Sequence, residues 1–494
     1  MTSAATTPGA VASAQAGRAL RAPRPARAVL VLAWAAALAL ALLYAALSFR
    51  RHARFETTGY DLGIFEQGVR AYADGRLPTS LLKGVDYPLL GDHFSPIIAL
   101  LGPVYALVPG PGTLLAAQAV MLAVGVVPLM LWAGRALGAV AAVIVGAAYG
   151  LAGGLAHAVA FDFHEIAFAV PLLAFSLSAL GRRRLLAAAL WAGPLVLVKE
   201  DLGLTVGAVG GVILLLGRGA ARDRLLGLLT AAFGVAATLL ETGVLIPAAN
   251  PLGANAYTGQ VTLPTALQQL SGLLTNELKI STLVVLLLPT AFLAVRSPLA
   301  LVAVPTLAWR LLSDNPNYWG TAFHYDAVLV PIVTAALVDV LARTSATTSA
   351  QRTRRRLLLV ASALATAALL VHSPLMRLVS PDLWREPVHA LAAEAVLDRI
   401  PSGARVAASN SLAPHLTARA DVSLLGILPV DAVAPEYVVA DTSLASQWPV
   451  GGDSLRELLA EAAGSGYRVV AEDDGITLLR RDDLERSDVS DGGR

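Results

Sequence analysis

The sequence predicts an all-α membrane domain of about eleven transmembrane helices, followed by a small extracytoplasmic α/β domain. Three observations lead there. The chain of 494 residues is 56% hydrophobic and only 15% charged, with a mean hydropathy of +0.65, too apolar for a water-soluble globule. Its apolar residues gather in repeated runs of roughly the length that a bilayer core demands. From about Ser373 onward charge rises, and short helix and strand patterns alternate.

Residues 1–27 are rich in Ala, Pro and Arg, carry no hydrophobic run, and read as a disordered basic cytoplasmic tail. The apolar stretch from Ala28 to Ser48 is too long for a signal-peptide core and reads as a retained first helix. Further spans are expected near 113–133, 138–157, 166–180, 185–199, 202–217, 225–247, 280–295, 298–312, 326–342 and 357–372, so that the membrane domain covers 28–372. Short loops that carry Arg stay cytoplasmic. Arg21, Arg24 and Arg27, then Arg135, Arg182 to Arg184, Arg218 with Arg222 and Arg224, Arg296, and the block Arg343, Arg352 and Arg354 to Arg356 all fall on one side in this register. Counting Pro96 to Val108 as a full span would invert everything after it, so this shorter run is read as an interfacial or re-entrant helix. A net charge of +2, with the arginines in topological blocks, argues against nucleic-acid binding. The absence of cysteine removes thiol catalysis, thiolate metal sites and disulfides.

With that register, the unusual polar residues collect on the outer face. The long first outer loop, 49–112, contains YDLGIFEQ (Tyr60 to Gln67) and GDHFSP (Gly91 to Pro96). FDFHE (Phe161 to Glu165) ends one span, and KED (Lys199 to Asp201) sits at the tip of a tight hairpin. Later outer loops supply NPLGANAYTGQ (Asn250 to Gln260) and the stretch from Arg310 to Asp326, which includes His324. Charged groups at membrane depth are costly, so they are normally paired and line a cavity. Structural readings stand beside functional ones: a Lys bridged to a neighbouring acid in the KED turn, aromatic anchoring in FDFHE, and backbone hydrogen bonding by Asp92 and His93. The co-location of these groups is what points to a site. Several carboxylates, His93, His164, His324 and Lys199 at a bilayer-facing cavity can hold an anionic lipid head group and supply a base. Transfer of a sugar from a lipid phosphate carrier makes that demand, because the leaving phosphate is charged and the nucleophile is an ordinary alcohol.

The order YDLGIFEQ, GDHFSPI, FDFHEIAFAVPLLAFSL, KEDLGL, ASNSLAPHLTAR and EYVVADTS resembles a family of bacterial polytopic membrane proteins, domain of unknown function 2079, over roughly residues 50–480. More remotely, the layout is similar to the GT-C superfamily of integral-membrane glycosyltransferases. That resemblance implies a polyprenyl-phosphate-linked sugar donor and a cell-envelope glycan or protein acceptor. It also implies that an acid of the first outer loop serves as base or as part of a divalent metal site. The role falls on Asp61; a single Asp stands there in place of an acidic pair, so the metal remains open.

By inference from chemistry, His93 and His164 are second acid/base groups or phosphate contacts, and Lys199 is the lipid-phosphate contact. Asp162, Glu165 and Glu200 would set charge states, while Tyr60, Glu66, Asp92, Asp201, Arg310 and His324 complete the expected binding surface.

The C-terminal α/β domain, 373–480, is expected to hold a helix at Glu386 to Arg399, strands at Arg405 to Ser409 and Glu436 to Asp441, a helix at Ser454 to Ala463, and strands at Tyr467 to Glu472 and Ile476 to Arg480. Within SNSLAPHLTAR, the expected role of Ser409 or Asn410 is helix capping, with contact by Asn410, His415 and Arg419 to an acceptor or head group as the alternative. Residues 481–494 read as a disordered tail. Beside the enzyme stand two other functions, a transporter or flippase of an anionic lipid-linked substrate and a non-catalytic membrane scaffold. A transporter should show internal repeats with charge near the midplane, and no clear repeat is visible.

Overall fold

Ala- and Leu-rich runs without internal Gly or Pro form uninterrupted helices, and the first, α1 (Arg27–Ala53), shows why such a helix belongs in lipid. Val29, Ala33, Ala37, Leu40, Tyr44 and Leu47 recur at helical spacing and are buried, whereas Val31, Trp34, Leu38 and Leu42 on the opposite side are exposed. A helix apolar all round is stable only in a core or a bilayer. In this computed structural model the described residues are 27–217, 219–255, 259, 261–344, 346–428, 433–443 and 448–482. Most of the N-terminal tail, Arg218, part of the 250–260 loop and residues 483–494 lie outside them.

The body is mostly helical. Among the described residues four helices are long and apolar enough to cross a membrane: Arg27–Ala53, Pro111–Leu137, Ala221–Ala249 and His324–Arg343. A fifth arises if Ala139–Gly150 and Gly153–Ala160, bent by 41°, form one span. By length and composition, then, four or five spans are counted against the expected number of about eleven, and prolines account for part of the difference. The ring removes an amide donor and crowds the preceding turn, so 3-10 turns interrupt the apolar runs at Gly193–Leu197, Leu288–Thr290 and Pro298–Ala303. Several expected spans are thus shorter apolar helices, such as Leu185–Leu197 and Pro298–Leu312. Pro96–Leu107 is also a short helix, packed on α2 (Ile64–Ala73). Arg352 and Arg354 to Arg356 lie in the first turns of Ser349–Leu370 rather than in a loop, because Thr348 and Gln351 form a capping box there.

Helices α3 (Leu202–Leu216) and α4 (Ala221–Leu240) form a close hairpin. A Cβ on Gly234 would stand 2.2 Å from the Gly203 carbonyl oxygen, so the backbones meet only because both positions lack a side chain. The central α5 (Leu329–Arg343) is buried on nearly every face.

A five-stranded sheet follows, β1 (Arg405–Ala408), β2 (Asp421–Leu424), β3 (Tyr437–Asp441), β4 (Tyr467–Asp473) and β5 (Ile476–Arg481), in the order β2-β1-β3-β5-β4. β1 pairs in parallel with β2 and β3, and β5 pairs antiparallel with β3 and β4. Val406, Ala408 and Val439 share a core with Ala393 and Val396 of α6 (Val388–Leu397). Ala407, Val438 and Ala440 pack with Leu455 and Leu459 of α7 (Gly452–Gly464) on the other face. Both faces are covered, which explains why β3 is buried throughout. The expected strands are present, and DVSL adds β2, which the sequence reading lacked.

The first long loop does not stand alone. Phe55, Ile64, Leu82 and Leu89 belong to the same apolar cluster as Leu412, Leu416, Val422 and Leu478 of the C-terminal unit.

Candidate functional site

The loop after α1 is tethered at Thr58. Its amide and hydroxyl donate to Asp162 Oδ2 at 2.8 and 2.9 Å, and Arg51 Nη1 donates to Asp162 Oδ1 at 3.3 Å. Asp162 sits at φ 66°, a left-handed bend that Asp tolerates better than most side chains. The bend is fixed from behind by Gln118, whose Nε2 donates to the Asp162 carbonyl at 2.6 Å and whose Oε1 accepts from the His164 amide at 3.0 Å. Three residues beyond Thr58, Asp61 leaves the helical path at ψ −56° with an extended φ, and its carboxylate remains 33% exposed, 3.5 Å from His164 Nε2. The Asp61 carboxylate is thus the reachable member of a largely buried group.

His164 is buried, stacked on His324 at 3.8 Å between ring centroids and on Phe161 at 5.2 Å. Burial opposes its protonation, but the charge and hydrogen bond of Asp61, helped by Glu165, outweigh that and raise its pKa. The pair sets a histidine whose protonation is favoured beside a carboxylate that solvent or substrate reaches.

The three residues of KED fan out to separate segments of the chain. Lys199 Nζ lies 3.1 Å from Glu165, Glu200 accepts from the Phe94 amide at 3.1 Å and contacts His93 Nδ1 at 2.7 Å, and Asp201 accepts from Trp309 Nε1 at 2.9 Å. Burial would raise the Glu200 pKa, yet His93 and Lys199 together hold it down to about 2. Burial, helped by the neighbouring Glu200 charge, raises Asp201 to about 6 against the pull of Lys199 and Trp309. Lys199 bridges to FDFHE rather than within its own turn, so the hairpin tip is a junction between segments. A small cavity lies among Lys199, Asp201, Thr306, Trp309, His324 and Tyr325. Asp201 Oδ1, Thr306 Oγ1 and His324 Nδ1 are buried there without hydrogen-bond partners among the described residues.

Thus the chain brings Asp61, Asp162, His164, Glu165, Lys199, Asp201 and His324 into one neighbourhood, with His93 and Glu200 adjoining. Asp92 does not pair with His93; it accepts from Lys83 Nζ at 2.7 Å, and that ammonium also lies over the rings of Tyr60 and Tyr87. Two expected binding residues stand elsewhere. Glu66 is fully buried, accepting from Tyr105 at 2.8 Å and from Thr417, because the first turns of α2 rotate it away from Asp61. Arg310 is also fully buried and is consumed by Asp326 at 2.5 Å and by the Tyr318 and Gly320 carbonyls. Asn410 and Ser409 cap no helix. Asn410 Oδ1 accepts from the Tyr60 amide, and Ser409 Oγ accepts from the Asp441 amide.

Sequence reasoning passed over Lys83, Arg51, Gln118 and Glu241. Glu241 is buried in the Ala221–Ala249 helix at a π-helical turn, and its Oε2 makes no hydrogen bond among the described residues. A lone Gln or Glu inside an apolar run was the available signal for Gln118 and Glu241.

No three His, Asp or Glu among the described residues are arranged to hold a metal ion. Asp61 and His164 supply two donors while Glu165 is engaged by Lys199, so these residues do not fit a protein-held divalent cation, and the chemistry below runs through none.

The architecture is a mostly helical body with apolar helices long enough to cross a membrane, followed by a small C-terminal sheet. It is similar to the crystal structure of ArnT from Cupriavidus metallidurans bound to undecaprenyl phosphate, with a TM-score of 0.52 at 18% identity over 91% of this chain and 97% of that one. The apo ArnT structure gives 0.54 at 16% identity with the same coverage. At these identities the likeness is one of fold. Residues 51–478 match the family described as "Predicted membrane protein (DUF2079)", and the chain belongs to that family. No curated protein matches the chain.

Proposed function

We propose that this protein transfers a sugar from a polyprenyl-phosphate-linked donor to a cell-envelope glycan or protein on the outer face of the membrane. The observation that carries the reading is the contact between the partly exposed Asp61 and the buried His164, whose pKa that contact raises. The ArnT-like fold, in a structure bound to undecaprenyl phosphate, supports a lipid-phosphate partner. In the proposed step Asp61 takes the proton of an acceptor hydroxyl as that oxygen bonds to the anomeric carbon. The bond from that carbon to the phosphate oxygen breaks, and its electron pair leaves with the polyprenyl phosphate. His164, whose protonation Asp61 favours, is the nearest source of positive charge to that carboxylate, while Lys83 is paired with Asp92 and Lys199 with Glu165. In this reading the N-terminus is cytoplasmic, and residues 373–480 form an extracytoplasmic domain over the membrane domain 28–372.

One feature favours a second reading. The 41° break between Ala139–Gly150 and Gly153–Ala160 is the kind of interrupted span that lipid transporters and flippases use. The test is release of polyprenyl phosphate by purified protein in lipid, from a panel of polyprenyl-phosphate sugars, with Asp61→Asn beside wild type. Loss of a general base lowers turnover by about 100-fold or more. No release from any donor, or equal release by the variant, overturns the proposal; donor movement across the bilayer without release supports the transporter.

A further inference from the structure

The segment that presents Asp61 is held from two sides. On one side Asp162 holds Thr58. On the other stands Asn410, in the turn after β1. Its backbone carbonyl accepts from the Gly59 amide at 2.8 Å, its Oδ1 accepts from the Tyr60 amide at 2.8 Å, and its Nδ2 donates to the Trp448 carbonyl at 2.6 Å. The approach leaves no slack, since a Cβ on Gly59 would lie 2.7 Å from Ala413 Cβ. The Tyr60 ring meets Trp448 edge-on at 5.1 Å. Asn410 thus holds the two residues immediately before Asp61, Gly59 by its backbone carbonyl and Tyr60 by its side-chain oxygen, while its Nδ2 ties the turn to Trp448. A carboxylamide is suited to this task, because it accepts from one amide and donates to one carbonyl at once.

We infer that Asn410 is a positioning residue, by which the C-terminal unit sets the direction of the Asp61 carboxylate toward His164 and the reacting hydroxyl. This rests on the reading of Asp61 as the base. Catalytic geometry is sensitive to displacements of about 1 Å, which cost on the order of 100-fold in rate. The expected signature is a loss in kcat with little change in donor KM, since Asn410 contacts the loop and not the lipid.

The experiment compares wild type, Asn410→Leu, Asn410→Asp and Asp61→Asn in lipid, using the polyprenyl-phosphate sugar that wild type turns over. Leu removes both side-chain bonds at similar volume, and Asp keeps the acceptor for the Tyr60 amide. Hydrogen exchange of the peptide containing Tyr60 reports the tether independently of turnover. The proposal expects faster exchange and a kcat lower by about 30-fold or more in Asn410→Leu, an altered pH profile, and substantial recovery of both in Asn410→Asp. Faster exchange with unchanged kcat overturns it, as does an equal loss in Leu and Asp variants accompanied by a raised KM or by unfolding of both. If Asp61→Asn turns over like wild type, the reading of Asp61 fails instead, and that outcome is seen in a different variant.

Discussion

Glu66 and Thr417 lie 351 positions apart in the chain and share a buried hydrogen bond, with the Tyr105 hydroxyl on the other carboxylate oxygen. Burial pushes the Glu66 pKa up to about 7, against the pull of those two donors and of Arg70. A raised carboxyl pKa means the folded state binds more protons than the unfolded one between the unfolded value of 4.5 and about 7, so stability falls as pH rises through that window and levels off above it. Glu66→Gln should flatten this slope and raise the melting temperature at pH 8. The full difference is about 3 kcal/mol, and thermal unfolding in detergent at several pH values measures it.

The pairing of Lys199 with Glu165 gives a second expectation. Glu165 is almost fully buried, so Lys199→Ala leaves an uncompensated charge and costs about 3 kcal/mol or more. The double variant Lys199→Met with Glu165→Gln should recover much of that loss. A thermal-shift cycle in which the two losses simply add would refute the coupling.

His164 titrates above its ordinary value because of Asp61. Its positive charge is present below the raised pKa and lost above it, so turnover should decline as pH rises through that point. His164→Gln should lower the plateau by about tenfold or more and remove this limb from the profile. A pH profile identical to wild type would count against any role in the reaction.

Gly234 faces the Gly203 carbonyl at a distance no side chain allows. Gly234→Val should separate α3 from α4 and destabilise the protein by about 1–3 kcal/mol, seen as lower yield and a lower melting temperature. An unchanged melting temperature would show that the hairpin is not packed this closely.

In the C-terminal unit His389 bridges Asp441 at 3.0 Å and Asp474 at 3.0 Å. Burial lowers its pKa, and the two carboxylates more than reverse this. The link is therefore complete at low pH and weakens as pH rises through the raised value. Hydrogen exchange in α6 should quicken over the same range, and in His389→Gln it should no longer depend on pH there.

Much of the helical body and the sheet was legible because period and run length report directly on burial. The candidate site was legible wherever charge interrupts apolar sequence, as in FDFHE and KED. Glu66 was misassigned because nearness in sequence to Asp61 says nothing about which way a helix turn carries a side chain. The span count is not confirmed, in part because proline splits apolar runs into shorter helices. β2, the four residues DVSL, was not read from the sequence. Asn410 looked like a helix cap because Asn is common there; its partner Tyr60 lies 350 positions earlier, and no local pattern encodes that contact.

The apolar cluster joining Phe55, Ile64 and Leu82 to Leu412, Leu416 and Leu478 also bears on biogenesis. The residues that complete the core of the loop bearing Asp61 are synthesised long after it, as the 350 positions between Tyr60 and Asn410 show. Contacts of such sequence separation form slowly, so a nascent chain spends most of its synthesis with this surface uncovered and open to chaperones or wrong partners. Ribosome stalling or truncation before β5 would leave that surface uncovered, and quality control would meet a protein whose membrane helices are already inserted.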